Sequence, residues 1–380
     1  MKITLKRTPE QVELIKAMAS RNRNVAYEAQ VALAEFIGPV LAEVINNAPT
    51  VSSLFQSLQF DADDNPSIPL DLYYDIADED YVKVWSQSHA GGLPSSQVLP
   101  TVSELKVATY TLDSAVDFDR RYAAKSRMDV VSKTFTRVAQ EILLKQDRTS
   151  ATLVMSSLAG ATIKSSPLAG DLQVFRTVTA DTVLIDDFNK LMTLAKRVNT
   201  SWVGGTPATR TRGITDIVCS PEVVGSIRAM AYNPVNTAAA PVGGTPADGQ
   251  MAPEQLRQEL FSAAGLPSFY GINVMEVNEM GVGQRFNKLF GAIVASEGAT
   301  VIGGGGTGTW VTGDDEIVIG IDRSKDSLIR PVVVGEGSPS ELQVLVDDQF
   351  SVRQNKIGYY GKVEEGRICI DNTALIGLCV

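Results

Sequence analysis

The chain is poor in the side chains that enzymes most often use for catalysis. Its 380 residues include one histidine, His89, and three cysteines, Cys219, Cys369 and Cys379. A single imidazole excludes multi-histidine metal centres, and no G-x-S-x-G nucleophile turn accompanies it. Because the cysteines form no C-x-x-C pair, we expect free thiols from a reducing compartment and no structural zinc site. The sequence therefore predicts no catalytic residue, no cofactor and no metal.

Positive charge and long apolar runs are also scarce. Lys and Arg number 34 against 44 Asp and Glu, which gives a formal charge of -10. Phosphate binding needs clustered basic residues, so any contact with DNA must be local or weak. No segment approaches the roughly 18 apolar residues of a membrane helix, and the N-terminus lacks the apolar core of a secretory signal. We expect a chain made in the cytoplasm, with no membrane partner.

What the chain does have is an ordinary globular composition, 44% hydrophobic and 21% charged, and a helical start. Thr8 and Pro9 match an N-cap and a first helical position. Apolar residues then recur at helical spacing until Gly38 and Pro39, which predict a break, and we expect two helices ending near Ala48. Since these apolar stripes precede any domain, we expect this arm to pack on neighbouring copies of the chain.

Two segments with different sequence patterns follow the arm. Residues 51–112 consist of short β-like runs separated by turn segments, which indicates a long extended excursion that needs a partner to lie on. Ser126 and Asp129 then form a capping box, and a long helix is predicted to run from there to about Leu158. One face of that helix carries apolar residues at intervals of four, three and four: Val131, Phe135, Val138 and Ile142.

From about residue 181 the pattern alternates helix and strand in the manner of an α/β domain. Helices are predicted after Asp186 or Asp187, from Pro221 to Met230, and after Pro253. Strands are predicted at TDIVC, GINVMEV, LFGAIVA, EIVIGI and LIRPVVV, and the chain closes with ELQVLVDDQF, GRICID and ALIGLCV. No repeat of fixed period is present, which excludes a solenoid or a propeller.

Motifs that could carry chemistry fail on their context. Gly303, Gly305 and Gly308 satisfy G-x-G-x-x-G, but the following residues indicate a strand, and no helix N-terminus is there to hold a pyrophosphate. We interpret the segment as a loop between strands. Adjacent acids such as Asp314 and Asp315 point to opposite faces of a strand, so we expect solvated turn residues and not a catalytic dyad.

Three segments, residues 82–118, 213–230 and 265–277, carry a resemblance to a known family. The first, VKVWSQSHAGGLPSSQVLPTVSELKVATYTLDSAVDF, resembles the extended E-loop of the major capsid proteins of tailed bacteriophages. Their fold is named after phage Hong Kong ninety-seven and is shared with encapsulin shells. A "G-D-F"-like element of the family is present only as Phe290 and Gly291, without its Asp. The resemblance implies an α+β fold with an N-terminal arm, an extended E-loop, a spine-helix P domain and an α/β A domain.

The expected segments follow from that resemblance. They are a helical arm at 1–50, the E-loop and flanking strands at 51–112, the spine helix and its connection at 113–180, the A domain at 181–335, and closing strands at 336–380 that return to the P domain.

The resemblance implies a structural protein and not an enzyme. It implies subunits that assemble as hexamers and pentamers into an icosahedral head around double-stranded DNA. The implied partners are further copies of the chain, portal, scaffold and decoration proteins, and packaged DNA in weak contact, and the implied location is the virion capsid after synthesis in the host bacterial cytoplasm. One alternative is an encapsulin-type shell that stores a cargo enzyme. A second is an α/β enzyme with a carboxylate pair in residues 180–335.

Opposite charges suggest where copies would meet. Residues 61–80 contain eight acids and no Lys or Arg, whereas the spine region is basic. In the family the E-loop lies across the next subunit's P domain, so we expect contacts between chains. The proposed contact residues are Asp78, Glu79, Asp80, Tyr81 and Trp85 on the E-loop and Arg120, Arg121 and Arg127 near the spine. Some relatives also join an E-loop Lys to a P-domain Asn, for which Lys83 and Asn355 are the nearest candidates.

Overall fold

The fold is described from a computed structural model of the chain. The residues it describes are 8–46, 48, 50–61, 66–69, 104–125, 127–161, 172–177, 183–198, 213–230, 268–269, 271–297, 301–302, 307–308, 310–311, 313–334, 341–347 and 355–380.

The chain divides into two compact units, each built from separate stretches of sequence. The first unit comprises Met1–Ser67, Lys106–Ser150 and Ile329–Ile368. The second unit comprises Ile68–Leu105, Ala151–Leu328 and Cys369–Val380.

Two helices form the N-terminal arm, α1 (Pro9–Met18) and α2 (Arg23–Asn46). The hydroxyl of Thr8 accepts from the backbone N–H of Gln11 at 3.4 Å, which confirms the predicted start. The predicted break at Pro39 is wrong, because α2 continues through it. Proline has no backbone N–H, so the carbonyl of Glu35 lacks its helical donor. Glu35 is exposed, so a water molecule can donate to that carbonyl instead.

The arm packs on its own unit. Ile15 and Met18 of α1 and Leu41 of α2 are buried in one core with Phe135 and Tyr359. Burying side chains of this size contributes about 1.5–3 kcal/mol each. The main apolar face of the arm is therefore already covered within the chain.

The sheet of the first unit combines strands from distant parts of the sequence. Strand β1 (Gln56–Asp61) runs parallel to β12 (Leu328–Val334). Strand β4 (Tyr110–Asp119) pairs antiparallel with β14 (Lys356–Glu365) along its whole length, and β13 (Gln343–Asp347) pairs with the other edge of β14. Short β15 (Ile368–Cys369) adds to β12. Strands β2 (Ser67–Pro69) and β3 (Glu104–Lys106) pair with each other in a separate two-stranded sheet.

The spine follows β4 directly. Asp119 caps a short helix, α3 (Arg120–Ala124), by accepting from the backbone N–H of Arg121 at 2.9 Å. Helix α4 (Met128–Ala159) has 32 residues, close to the predicted length, and at about 1.5 Å per residue it is about 48 Å long. The four apolar residues predicted to line one face, Val131, Phe135, Val138 and Ile142, are all buried. The predicted cap Ser126 lies outside the described residues.

The second unit is built on an eight-stranded sheet of order β10-β9-β5-β16-β11-β6-β8-β7. Its strands are β5 (Val174–Arg176), β6 (Asp216–Cys219), β7 (Ser268–Phe269), β8 (Ile272–Glu276), β9 (Val301–Ile302), β10 (Thr307–Gly308), β11 (Ile317–Ile321) and β16 (Leu375–Cys379). Helices α5 (Ile185–Val198), α6 (Pro221–Met230) and α7 (Arg285–Glu297) accompany it.

One predicted strand is a helix. The run LFGAIVA was predicted as a strand, but it lies within α7, where Phe286, Phe290 and Val294 follow at intervals of four and are buried. The Asn287 side chain fixes the helix to β11, because it donates to the carbonyl of Asp315 and accepts from the N–H of Ile317 at 3.1 Å. A short continuous apolar run fits a buried helix and a buried strand equally well.

The closing segment is shared between the two units. Strands β13 and β14 belong to the first unit, whereas β16 lies in the second unit between β11 and β5. All five residues of β16 are buried, and a strand that is apolar on both faces needs covered faces and two paired edges. A strand at the edge of the first unit's sheet would have only one paired edge.

Candidate functional site

A buried carboxylate, Glu365 at the end of β14, is the centre of a polar cluster in the first unit. Its side chain is 0% exposed. One carboxylate oxygen accepts from Arg330 Nε at 2.7 Å and from Gln146 Nε2 at 2.9 Å. The other accepts from Arg367 at 3.0 Å and from the hydroxyl of Tyr110 at 3.0 Å. We call this cluster the buried junction.

Arg367 extends the junction toward the segment that follows the arm. Its guanidinium donates to the hydroxyl of Ser52 at 3.0 Å and to that of Ser150, and it lies 5.4 Å from the ring centroid of Phe55. Ser150 belongs to α4, whereas Ser52 and Phe55 lie just before β1. One buried cation therefore joins the spine helix to the segment just before β1.

Arg330 extends the junction toward the arm. It donates to the side-chain oxygen of Asn46, the last residue of α2, at 3.1 Å, and it pairs with Glu341 at 3.5 Å. Glu341 in turn accepts from the amide of Asn46 at 3.2 Å and from Ser57 of β1 at 3.1 Å. The end of the arm and the first strand thus share one set of hydrogen bonds.

The junction is arranged for structure. Two guanidinium groups face two carboxylates, so the buried charges balance, and each is hydrogen-bonded as burial requires. Burial, and next the carboxylate of Glu365, raise the pKa of Tyr110 above its ordinary value. Glu365 accepts hydrogen bonds from four donors on four segments of the chain. Its carboxylate therefore holds these segments together.

The predicted contact residues divide between described and undescribed parts of the chain. Asp78, Glu79, Asp80, Tyr81 and Trp85 lie outside the described residues, as do Lys83 and His89.

The three predicted arginines are all described. Arg120 donates to the carbonyl of Ser20, and Arg121 pairs with Asp119 at 3.0 Å while its side chain stays 80% exposed. Arg127 is exposed at the turn between α3 and α4. These bonds within the chain could not be predicted from the sequence. Arg120 bonds to a backbone carbonyl 100 residues away, and Arg121 bonds to the acid that caps α3.

Asn355, the proposed partner of Lys83, is exposed immediately before β14. It adopts a left-handed backbone conformation, with φ of 53°, and its carbonyl accepts from the N–H of Arg120 at 3.1 Å. Asparagine tolerates this conformation better than most residues.

The acids expected to be solvated in the second unit include one that is buried. Asp315 pairs with Arg176 at 2.5 Å and accepts from the backbone N–H of Val311 at 2.7 Å. The expectation of a solvated turn residue is therefore wrong for Asp315, because a charged partner from β5 reaches it. Its neighbour Asp314 is exposed, as expected.

Glu316 is buried beside the N-terminus of α6. Burial is the main cause that raises the pKa of its carboxyl; the nearby carboxylate of Glu222 acts in the same direction, and a hydrogen bond with Ser220 acts against it. Its Oε1 atom finds no hydrogen-bond partner among the described residues.

The three cysteines are free, as predicted, with Cys219 and Cys379 buried. Burial raises the pKa of Cys369 to about 11 and that of Cys379 to about 12, so both thiols stay protonated at neutral pH. Within the ranges that the structure describes, no group of three or more His, Cys, Asp or Glu side chains could hold a metal ion. In the same described ranges, no helix is both long and apolar enough to cross a membrane.

The described elements confirm the predicted α+β class and the predicted order: helical arm, outgoing strand, returning strand, long spine helix, α/β sheet unit and closing strands. This is the order expected from the resemblance to Hong Kong ninety-seven-type capsid subunits.

No protein-family model matches the chain, and no curated protein matches it. Among solved structures, the capsid of an empty GTA particle is 13% identical, with a TM-score of 0.48 and coverage of 87% of this chain and 89% of that one. The capsid of Cyanophage P-SCSP1u is 12% identical, with a TM-score of 0.43 and coverage of 86% of each chain. The SrpI encapsulin complex from Synechococcus elongatus PCC 7942 is 10% identical, with a TM-score of 0.41 and coverage of 86% and 85%. At these values, the inference about function rests on the chain's own elements.

Proposed function

We propose that this protein is the repeating subunit of a closed shell, the major capsid protein of a tailed bacteriophage. The observation that carries the proposal is the buried junction. It ties β4, the spine helix and the closing strands to the carboxylate of Glu365. Arg330 and Glu341 link the end of the arm and β1 to the same cluster. A subunit that must hold a long extended segment in a fixed direction needs such an anchor at the base of that segment.

The outer face of α2 supports a role in assembly. Its inner face is buried in the first unit, but Val25, Phe36 and Val40 remain exposed, with Phe36 at 55%. On a helix of 3.6 residues per turn these three lie within about 60° of one another. They form one apolar stripe on the flank of α2, interrupted at buried Ala29. The arm thus contacts a neighbouring copy through this stripe, after using its other face within the chain.

The extended segment and the spine supply a second contact between copies. The acids Asp78, Glu79 and Asp80 meet the basic residues near a neighbour's spine, while Tyr81 and Trp85 supply apolar burial. Arg127 is exposed, whereas Arg120 and Arg121 also bond within the chain, so we assign the main role in this contact to Arg127. Exposed ion pairs contribute about 0–1 kcal/mol each, so their effect depends on repetition over a lattice.

In the assembled shell, hexamers and pentamers close an icosahedral head around double-stranded DNA. Portal, scaffold and decoration proteins are its partners, and the subunit joins the virion after synthesis in the host bacterial cytoplasm. The subunit needs no cofactor for this role and performs no catalysis.

Electron microscopy of the expressed protein tests the proposal. Closed shells or capsomer rings are the expected result, and a species that stays monomeric at high concentration overturns it. Nuclease-protected DNA in particles purified from their natural source supports the capsid. A protein cargo without DNA instead supports an encapsulin-type shell, and a catalytically active monomer supports the α/β enzyme.

A further inference from the structure

A group of basic residues on the first unit is not used by the buried junction. Arg21 and Arg23 lie at the turn between α1 and α2, and Arg120, Arg121 and Lys125 lie in and just after α3. We call these five residues the basic corner. About 100 residues of sequence separate its two halves, so the sequence alone does not show that they form one group.

Two contacts bring the halves together. The guanidinium of Arg120 donates to the carbonyl of Ser20, which precedes Arg21 in the turn. Ala123 of α3 is fully buried in the same core as Ile15 and Met18 of α1. The turn of the arm therefore lies against α3, and the two basic stretches share one surface.

The corner carries a local excess of positive charge in an acidic chain. Residues 19–25 and 119–125 contain these five basic residues and one acid, Asp119. Asp119 is paired with Arg121 at 3.0 Å and caps α3. The side chains of Arg21, Arg23, Arg121 and Lys125 are exposed, so their charge acts on the solvent side. The whole chain has a net charge of -10, so anionic partners are repelled by most of it and attracted to a cationic surface of this kind.

Two exposed tyrosines accompany the cations. Tyr122 lies beside Arg121 and is 45% exposed, and Tyr27 lies one helical turn after Arg23 and is 47% exposed. Tyrosine, arginine and lysine side chains are all among the groups that contact the phosphates and sugars of duplex DNA.

We propose that the basic corner binds the phosphate backbone of nucleic acid without sequence preference. Arginine matches phosphate oxygens with two parallel hydrogen bonds, and several such contacts in one place give a salt-dependent, sequence-independent affinity. The inference deepens the proposed shell function, because it names the surface at which each copy would touch enclosed DNA. A carboxylate-rich protein segment is the competing class of partner. The contact proposed above with a neighbour's acids is assigned to Arg127, which lies outside the corner, and the exposed tyrosines favour nucleic acid at the corner itself.

Binding is measured by fluorescence anisotropy of a labelled random-sequence DNA duplex, with the full-length protein, over a salt series. We expect the logarithm of the affinity to fall with the logarithm of salt concentration, with a slope of about -3 to -4. The variant Arg21→Glu/Lys125→Glu is expected to lower the affinity by roughly tenfold or more near 0.1 M salt and to reduce the slope by about 2. Neither side chain belongs to the buried junction, so the thermal unfolding of the variant should match that of the unsubstituted protein.

Lys145→Glu/Lys288→Glu is the matched control, since both lysines are exposed, both lie outside the corner, and the change in net charge is the same. An equal loss in this control overturns the proposal, because net charge alone would then explain the effect. Absence of salt-dependent DNA binding also overturns it. A synthetic peptide of residues 71–85 that binds the corner while DNA does not would assign the surface to a subunit contact. Failure to form shells, seen separately by electron microscopy, bears on the proposed function and leaves this binding result standing.

Discussion

The Nε atom of Arg330 donates to Glu365 at 2.7 Å, and both side chains are buried in the first unit. The two residues are 35 positions apart, on β12 and β14. Arg367 approaches the same carboxylate from the other side at 3.0 Å. Together these bonds give the spine and the closing strands a single polar anchor.

Removing the charge of that anchor should destabilise the fold strongly. Glu365→Gln leaves Arg367 buried without its carboxylate and leaves Arg330 only Glu341. Breaking one side of a buried ion pair costs about 3–5 kcal/mol, so urea unfolding should show a loss of that size. Asp186→Asn serves as the control, because its pair with Lys190 is exposed and i,i+4 spaced, and it should cost under about 0.5 kcal/mol. Equal effects of the two substitutions would refute the structural role of the junction.

Glu316→Gln should stabilise the protein at neutral pH. Burial raises the pKa of Glu316 in the folded state, so the folded protein binds this proton more tightly than the unfolded chain does. The stability that the proton contributes is present below the unfolded pKa, near 4.5, and is lost as pH rises through the higher folded pKa. The glutamine variant should therefore melt at a higher temperature than the unsubstituted protein at pH 7, with the difference shrinking toward pH 4. Asp314→Asn, at an exposed neighbour, is the control and should leave the melting temperature at pH 7 unchanged.

Phe36→Ser separates assembly from folding. The side chain of Phe36 is 55% exposed, so the substitution should change the free energy of unfolding by no more than about 0.5 kcal/mol. Because it removes the largest side chain of the outer stripe of α2, particles should fail to form and capsomers or monomers should accumulate in sedimentation. Leu41→Ala on the inner face should instead cost about 2–5 kcal/mol in unfolding. Normal particles from Phe36→Ser would show that the stripe is not an assembly contact.

Reversing Asp78, Glu79 and Asp80 to Lys tests the contact proposed between the extended segment and a neighbour's spine. The Debye length is about 10 Å near 0.1 M salt, so raising salt should weaken assembly of the unsubstituted protein and partly restore assembly of the reversed variant. Light scattering against salt concentration measures both effects. A second reversal, Arg127→Glu, should partly rescue the triple variant if the charges meet. Unchanged assembly of the triple variant at low salt would identify the acidic run as a solvated surface.

Local patterns were sufficient wherever one element carried its own signal. The cap at Thr8, the apolar face of α4 and the strands at Ile272–Glu276 and Ile317–Ile321 were predicted because spacing and capping are properties of neighbouring residues. The prediction failed at Pro39, where packing of α2 on the first unit outweighs one missing hydrogen bond. It failed again at α7, where a short apolar run has no period that separates helix from strand.

The sequence by itself determined the α+β class, the helical arm, the long spine, the scarcity of catalytic side chains and the acidic balance of the chain. Only the tertiary structure decided which distant residues share a surface or a core. The junction joins Asn46, Tyr110, Gln146, Arg330 and Glu365. The two halves of the basic corner meet where Arg120 bonds to Ser20, the residue before Arg21. No periodicity links such positions, because they meet through strand pairing and core packing between segments that lie tens to hundreds of residues apart.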